Sequence, residues 1–137
     1  MTVRHEHLDL PFSPEAGRAA RSLVRECAAG MSPSAIADAE LLVSEVVTNA
    51  VQHGAPDVGA TVVIEPGELT VLITDGDSRT PTIREHATAD ATSGRGLRLV
   101  EVLSVAWGVE VAPAGDGKTV WFRLTDSRAP GDPGARI

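Results

Sequence analysis

Glu45, Asn49 and His53 recur at four-residue intervals within LLVSEVVTNAVQHG, residues 41–54. In a helix, at about 100° per residue, such a row advances by only about 40° per step. The three side chains therefore line one edge instead of winding round the axis. A carboxylate one turn before a carboxamide has a definite chemical use. The Asn oxygen can ligate Mg²⁺ without adding charge, and the Glu can take a proton from a hydroxyl or water attacking a phosphate. Read alone, the same row also fits the solvated edge of an amphipathic helix, with His53 as a hydrogen-bonded residue at its end.

Two further places carry chemistry. Asp75 closes a run of β-branched residues, which puts a carboxylate acceptor on a rigid element, suited to reading an exocyclic amine or simply opening a turn with Gly76. Gly94-Arg95-Gly96 opens a helical pattern after a long polar segment. Two glycines there let backbone approach an anion, and free helix-terminal N–H groups favour phosphate. Two rival nucleotide motifs fail. A dinucleotide-binding G-x-G-x-x-G would need glycine where Leu99 stands, with a strand directly before it. A phosphate-binding P-loop ending at Gly117-Lys118-Thr119 would need glycine at Ala112 and a following helix, whereas VWFRL reads as strand.

The elements that must position these groups are legible from pattern. A short strand is expected over Arg4–Leu10. Ser13-Pro14-Glu15 and Ser32-Pro33 each look like a capping hydroxyl followed by proline at the first helical position. They open one helix to about Gly30 and a second to Gly54, where a left-handed cap is expected. On the second helix Ile36, Ala39, Val43, Val46, Val47 and Ala50 form the sheet-facing stripe. Ala60–Glu65 and Leu69–Thr74 form a hairpin about Pro66-Gly67-Glu68. Residues 75–93 hold one Ile and no other large apolar residue, a long polar loop of the kind that tends to be functional. A helix from Gly94 to about Val105 and strands at Trp107–Val111 and Thr119–Leu124, joined at Gly115-Asp116-Gly117, complete the order. The fold class expected is α+β, a two-layer sandwich with a mixed, mostly antiparallel sheet covered on one face by three helices.

The 137 residues suit one domain over 1–125, with an apolar-poor tail at 126–137. Net charge is −7 and no basic cluster exists, which argues against a nucleic-acid partner. Of the 12 basic residues only Lys118 is a lysine. The single cysteine, Cys27, is expected to be a buried apolar residue, and His5 and His7 to be exposed on an edge strand. No stretch is long and apolar enough to span a membrane, so a cytoplasmic protein without membrane association is expected.

Taken together, Glu45-x-x-x-Asn49-Ala50-x-x-His53-Gly54, Asp75, Gly94-x-Gly96-Leu97-x-Leu99-Val100 and Gly117-Lys118-Thr119 resemble, in order and spacing, the motif boxes of the GHKL ATPase superfamily with its Bergerat-type fold. TNAVQHG, GRGLRLVEVLSVAWG and GKTVWFRL are most similar to the anti-sigma-factor serine kinases. The resemblance covers about Leu8 to Leu124. It implies ATP bound between the helix layer and a lid over residues 76–93, with Mg²⁺ on Asn49 and Glu45 as general base. It further implies Asp75 on the adenine amino group, phosphates on Gly94, Arg95, Gly96 and Leu97, and His53 and Thr119 in the nucleotide site, Thr119 at its adenine end. Arg79, Arg84 or Arg95 would offset phosphate charge. The chain departs from the family's D-x-G-x-G, reading Asp75-Gly76-Asp77-Ser78-Arg79. The implied activity is serine/threonine phosphorylation of a small anti-anti-sigma (STAS-type) protein, with a sigma factor as second partner and a homodimer as the assembly. The alternative is a non-catalytic module that binds ATP or sequesters a partner.

Overall fold

The computed structural model describes residues 3–79 and 92–126, the second segment with side chains from Leu97 onward. The elements are β1 (Arg4–Leu10), α1 (Ala16–Cys27), α2 (Pro33–His53), β2 (Val58–Glu65), β3 (Glu68–Asp75), α3 (Thr92–Leu103), β4 (Ala106–Val111) and β5 (Lys118–Thr125). The five strands lie in the order β1-β2-β3-β5-β4. Every pairing is antiparallel, so the sheet expected to be mixed is antiparallel throughout.

Strand alternation gives the sheet two chemically different faces. On β5, Lys118, Val120, Phe122 and Leu124 are buried while Thr119, Trp121 and Arg123 are not. Opposite them, Leu69, Val71, Ile73 and Asp75 of β3 share the buried side. That side takes the helices: α1 against β1 and β2, α2 against β3 and β5, and α3 alongside α2 and β4. The core is aliphatic around a single aromatic ring, Phe122, which is fully buried with Leu42, Leu69, Ile73 and Leu97.

Local signals open α2 as expected. Ser32 is its N-cap, the hydroxyl accepting from Ala35 N–H at 3.3 Å, and Pro33 follows at the first helical position. A long-range partner fixes the same turn. Ser32 N–H donates to Asp126 Oδ2 at 2.6 Å, and Asp126 is buried. Asp126, at the head of the expected tail, is thus tied to the fold; residues 127–137 lie outside the described residues.

Three expectations are corrected. Ser13 does not cap α1: its hydroxyl donates to the Glu15 carboxylate at 2.6 Å, and the helix starts only at Ala16. A nearby charge outbids the backbone N–H groups for that hydroxyl. Gly54 is extended rather than left-handed, at φ −96°. Glycine is needed there for space, because a Cβ would sit 2.5 Å from Ala50 O and 2.6 Å from Asp75 Cγ. The buried arc of α2 includes Leu42 and leaves Ile36 half-buried. A helix with α1 on its flank as well as a sheet beneath it buries a wider arc than a single stripe. Cys27 is buried as expected, and burial pushes its thiol pKa up.

Candidate functional site

The edge of α2 descends from half-buried Glu45 and Asn49 to exposed His53 and then Gly54. Glu45 has no hydrogen-bond or ion-pair partner among the described residues, whereas Asn49 is engaged. A half-buried carboxylate without a partner keeps its lone pairs available to a reacting hydroxyl. His53, at the exposed C-terminal end of the row, belongs to the helix terminus rather than to its buried wall.

Where α2 ends it meets the end of β3. Asp75 is 5% exposed, and the missing Gly54 side chain is what admits its carboxylate. Gly76 N–H donates to Ala55 O at 2.7 Å, which fixes the chain leaving β3 to the chain leaving α2. The antiparallel register then sets Lys118 directly opposite Asp75. The Lys118 ammonium donates to Asp75 Oδ1 at 3.1 Å and lies 3.0 Å from Oδ2, with the two side chains only 8% and 2% exposed. It also donates to Asp77 O at 3.0 Å. Gly117 makes the entry possible: its φ is +149°, and a Cβ there would fall 2.7 Å from Asp75 O. Lys118 is the residue that sequence reasoning missed as a site partner, and its being the only lysine in the chain was the available signal.

Thr119, expected at the adenine end, is on the other face of the sheet. It is paired in register with exposed Thr74 and Glu110. Both threonines border a cleft of about 310 Å³ at the end of the sheet, which Asp75, Lys118, Glu110 and Asp116 also line.

The departure at residues 75–79 carries its own compensation. Asp77, which replaces the family glycine, is chelated by Arg79: Nε lies 3.1 Å and 2.9 Å from the two carboxylate oxygens, and the terminal nitrogen closes the pair. The Arg79 side chain, together with its backbone N–H, holds the Asp77 carboxyl down at about 2. Asp77 N–H in turn donates to Asp75 Oδ1 at 2.7 Å. The loop is thus a chain of satisfied charges, and among the described residues no buried side-chain nitrogen or oxygen lacks a partner. Arg79 is committed to Asp77; Arg84 lies outside the described residues, as do residues 80–91 of the expected lid.

On the far side, α3 begins at Thr92, two residues before Gly94. Gly94 therefore falls within the first turn, among the N–H groups that have no partner within the helix, and Arg95 and Gly96 follow it. Leu97 points into the core, 1% exposed, and anchors that turn. The elements bring Glu45, Asn49 and Asp75 to the α2 side, leave His53 at the rim, and turn Thr119 to the opposite face, at a cleft that Asp75 and Lys118 also line.

This arrangement of one helix edge, one strand-end carboxylate and one glycine-flanked helix start has a match among known families. The model of the histidine kinase-like ATPase domain covers residues 10–124. The chain belongs to that family. Its resemblance to GHKL-type ATPases is thereby borne out, and the family supports ATP binding. Among solved structures, the chain is similar to the RsbU and RsbW domains of Rv1364c from Mycobacterium tuberculosis, at a TM-score of 0.68 and 24% identity. The match covers 90% of this chain and 32% of that one, so the histidine kinase-like domain described here spans about a third of its length. At that identity the likeness establishes the fold. Among the described residues no helix is long and apolar enough to cross a membrane, and no three His, Cys, Asp or Glu residues cluster as a metal site.

Proposed function

We propose that the chain is a serine/threonine protein kinase of the anti-sigma-factor type, passing the γ-phosphoryl of ATP to a small STAS-type partner and sequestering a sigma factor otherwise. The observation that carries this reading is the Glu45–Asn49 pair, one turn apart on the half-buried edge of α2, with Glu45 unpartnered among the described residues. Mg²⁺ usually keeps several waters and takes one or two protein ligands plus phosphates. Asn49 would hold it, and bound Mg²⁺ would neutralise charge across the β- and γ-phosphates.

The chain's own groups have separate tasks. Glu45 accepts the proton of the attacking serine or threonine hydroxyl as its oxygen bonds to the γ-phosphorus. The bond from that phosphorus to the bridging oxygen breaks, and ADP leaves with the electron pair. Asp75 holds the base end, and the first-turn N–H groups of α3 face developing phosphate charge. The RsbW domain named in the similar structure supports the anti-sigma direction of the proposal. The test is incubation with radiolabelled ATP, Mg²⁺ and candidate STAS-type proteins. Label on a partner hydroxyl, lost in Glu45→Gln, is expected; no label from either form would end the kinase reading. A second reading, a binding module without turnover, is favoured by the Lys118 contact to both Asp75 oxygens. In that case ATP changes partner affinity and Glu45→Gln changes nothing.

A further inference from the structure

An ionised carboxylate offers about four acceptor positions. At Asp75 two are already taken from within the chain, both on Oδ1, and an ion-pair contact lies against Oδ2. On Oδ1 the Asp77 N–H sits at 2.7 Å and the Lys118 ammonium at 3.1 Å; on Oδ2 the same ammonium sits at 3.0 Å. Gly54 also walls the Oδ1 side, since even a methyl group there would come within 2.7 Å of that oxygen. Oδ2 is the one oxygen left without a hydrogen bond. Lys118 is held by two acceptors, Asp75 Oδ1 and Asp77 O at 3.0 Å, with its charge 3.0 Å from Oδ2.

We propose that Lys118 is the specificity-determining residue for the base, by helping to fill Oδ1 so that Asp75 meets the base with a single oxygen. The inference rests on reading the site as a nucleotide site. A single remaining acceptor suits the 6-amino group of adenine. Guanine would present two adjacent donors, N1–H and N2–H, to one open oxygen where a carboxylate with both oxygens open could take one on each. Hypoxanthine would set its O6 against a carboxylate oxygen with nothing between them. Selectivity then comes from the filling of Oδ1 within a buried ion pair, where an unmatched polar group stays unpaired on either side. The placement of the chain's only lysine fits this role: its surface cations are arginines, and the one compact ammonium is buried here.

The experiment is a calorimetric series with Mg²⁺ and four triphosphates, those of adenosine, inosine, guanosine and unsubstituted purine riboside. Wild type is expected to bind ATP best and to reject ITP and GTP by on the order of a hundredfold, the cost of stranding buried polar groups. Purine riboside triphosphate, with neither amine nor carbonyl, falls between. Lys118→Met frees acceptor positions on Asp75 and should shrink the ATP-over-GTP ratio by about tenfold or more. Lys118→Arg, whose fork can occupy the same carboxylate, should restore it. A change in the ratio is the informative readout, because a merely structural loss would weaken all four ligands together. If Lys118→Met does not fold, the wild-type series decides: ITP bound as well as ATP overturns the proposal. A folded Lys118→Met that keeps the wild-type ratio also overturns it, while leaving ATP binding intact. Wild type that binds none of the four removes the nucleotide reading itself, and this inference with it.

Discussion

Lys118 and Thr119 are neighbours in sequence and opposites in environment. Lys118 lies under the helices, 9% exposed, paired to Asp75 and tied to the loop that leaves β3. Thr119 lies on the uncovered face beside Thr74 and Glu110. The same contrast runs across the sheet. Its covered face holds the core and ends in a buried ion pair. Its open face carries half-buried or exposed groups: His7 between Thr61 and Asp9, at 2.8 Å and 3.0 Å, and Arg123 over the Trp121 ring at 5.4 Å. Polar groups on the covered face must be fully matched because water cannot reach them, whereas those on the open face exchange partners with solvent at little cost. The difference teaches that the buried ion pair of this domain belongs to one side of the sheet, the side that the proposed reading of the site uses, and that a one-residue shift of register would exchange the sides.

The sharpest way to break the contrast is at the covered side's free carboxylate. Glu45→Gln should lower phosphoryl transfer by about a hundredfold to ten-thousandfold while ATP still binds, and Thr119→Val should leave the rate within about twofold. A label-transfer assay on both variants compares the faces directly; equal losses would erase the distinction. Next in size is stability. Lys118→Met leaves a buried carboxylate without its counter-charge and should cost about 3–5 kcal/mol in urea unfolding. Thr119→Val should stay within about 0.5 kcal/mol.

A smaller cost is expected where α2 touches Asp75. Gly54→Ala places a methyl group against Ala50 O and the Asp75 carboxylate. It should destabilise by about 1–3 kcal/mol and weaken nucleotide binding as well, since the carboxylate must move. Gly30→Ala, where a Cβ meets nothing within 4 Å, is the control. The smallest effect concerns the exposed Asp77–Arg79 pair. Asp77 titrates at about 2 in the folded chain against an ordinary 3.8. A depressed acid stabilises the fold above its unfolded value and loses that contribution as pH falls toward the folded one. Arg79→Ala should therefore be slightly less stable than wild type at neutral pH, with the gap closing between about pH 4 and pH 2 in acid-unfolding curves.

Much of the fold was legible where local and distant signals agree. Ser32-Pro33 opens α2 because the hydroxyl cap and the proline need only their neighbours, and the hairpin β2–β3 follows from two β-branched runs about Gly67. Glu45, Asn49 and Asp75 could be picked out as candidates from sequence, since a helix fixes the first two by spacing and a strand end fixes the third. For Gly117-Lys118-Thr119 the motif names the residues together, while the pleat admits only one of the two side chains to the buried side, and that side chain is Lys118. Asp126 was read as tail for a related reason: its partner is Ser32, at the other end of the chain.

By itself, then, the sequence determined what short range can determine. The helix edge bearing Glu45 and Asn49, the strands, the glycine turns and the family all follow from spacing and from residue type. Only the tertiary structure decided that β5 lies against β3 with Lys118 facing Asp75, and that Gly54 is glycine to make room for a carboxylate. Those facts depend on registers and contacts between segments separated by tens of residues. Their energies come from burial, where a charge must find its partner inside the protein, and burial is a property of the folded chain.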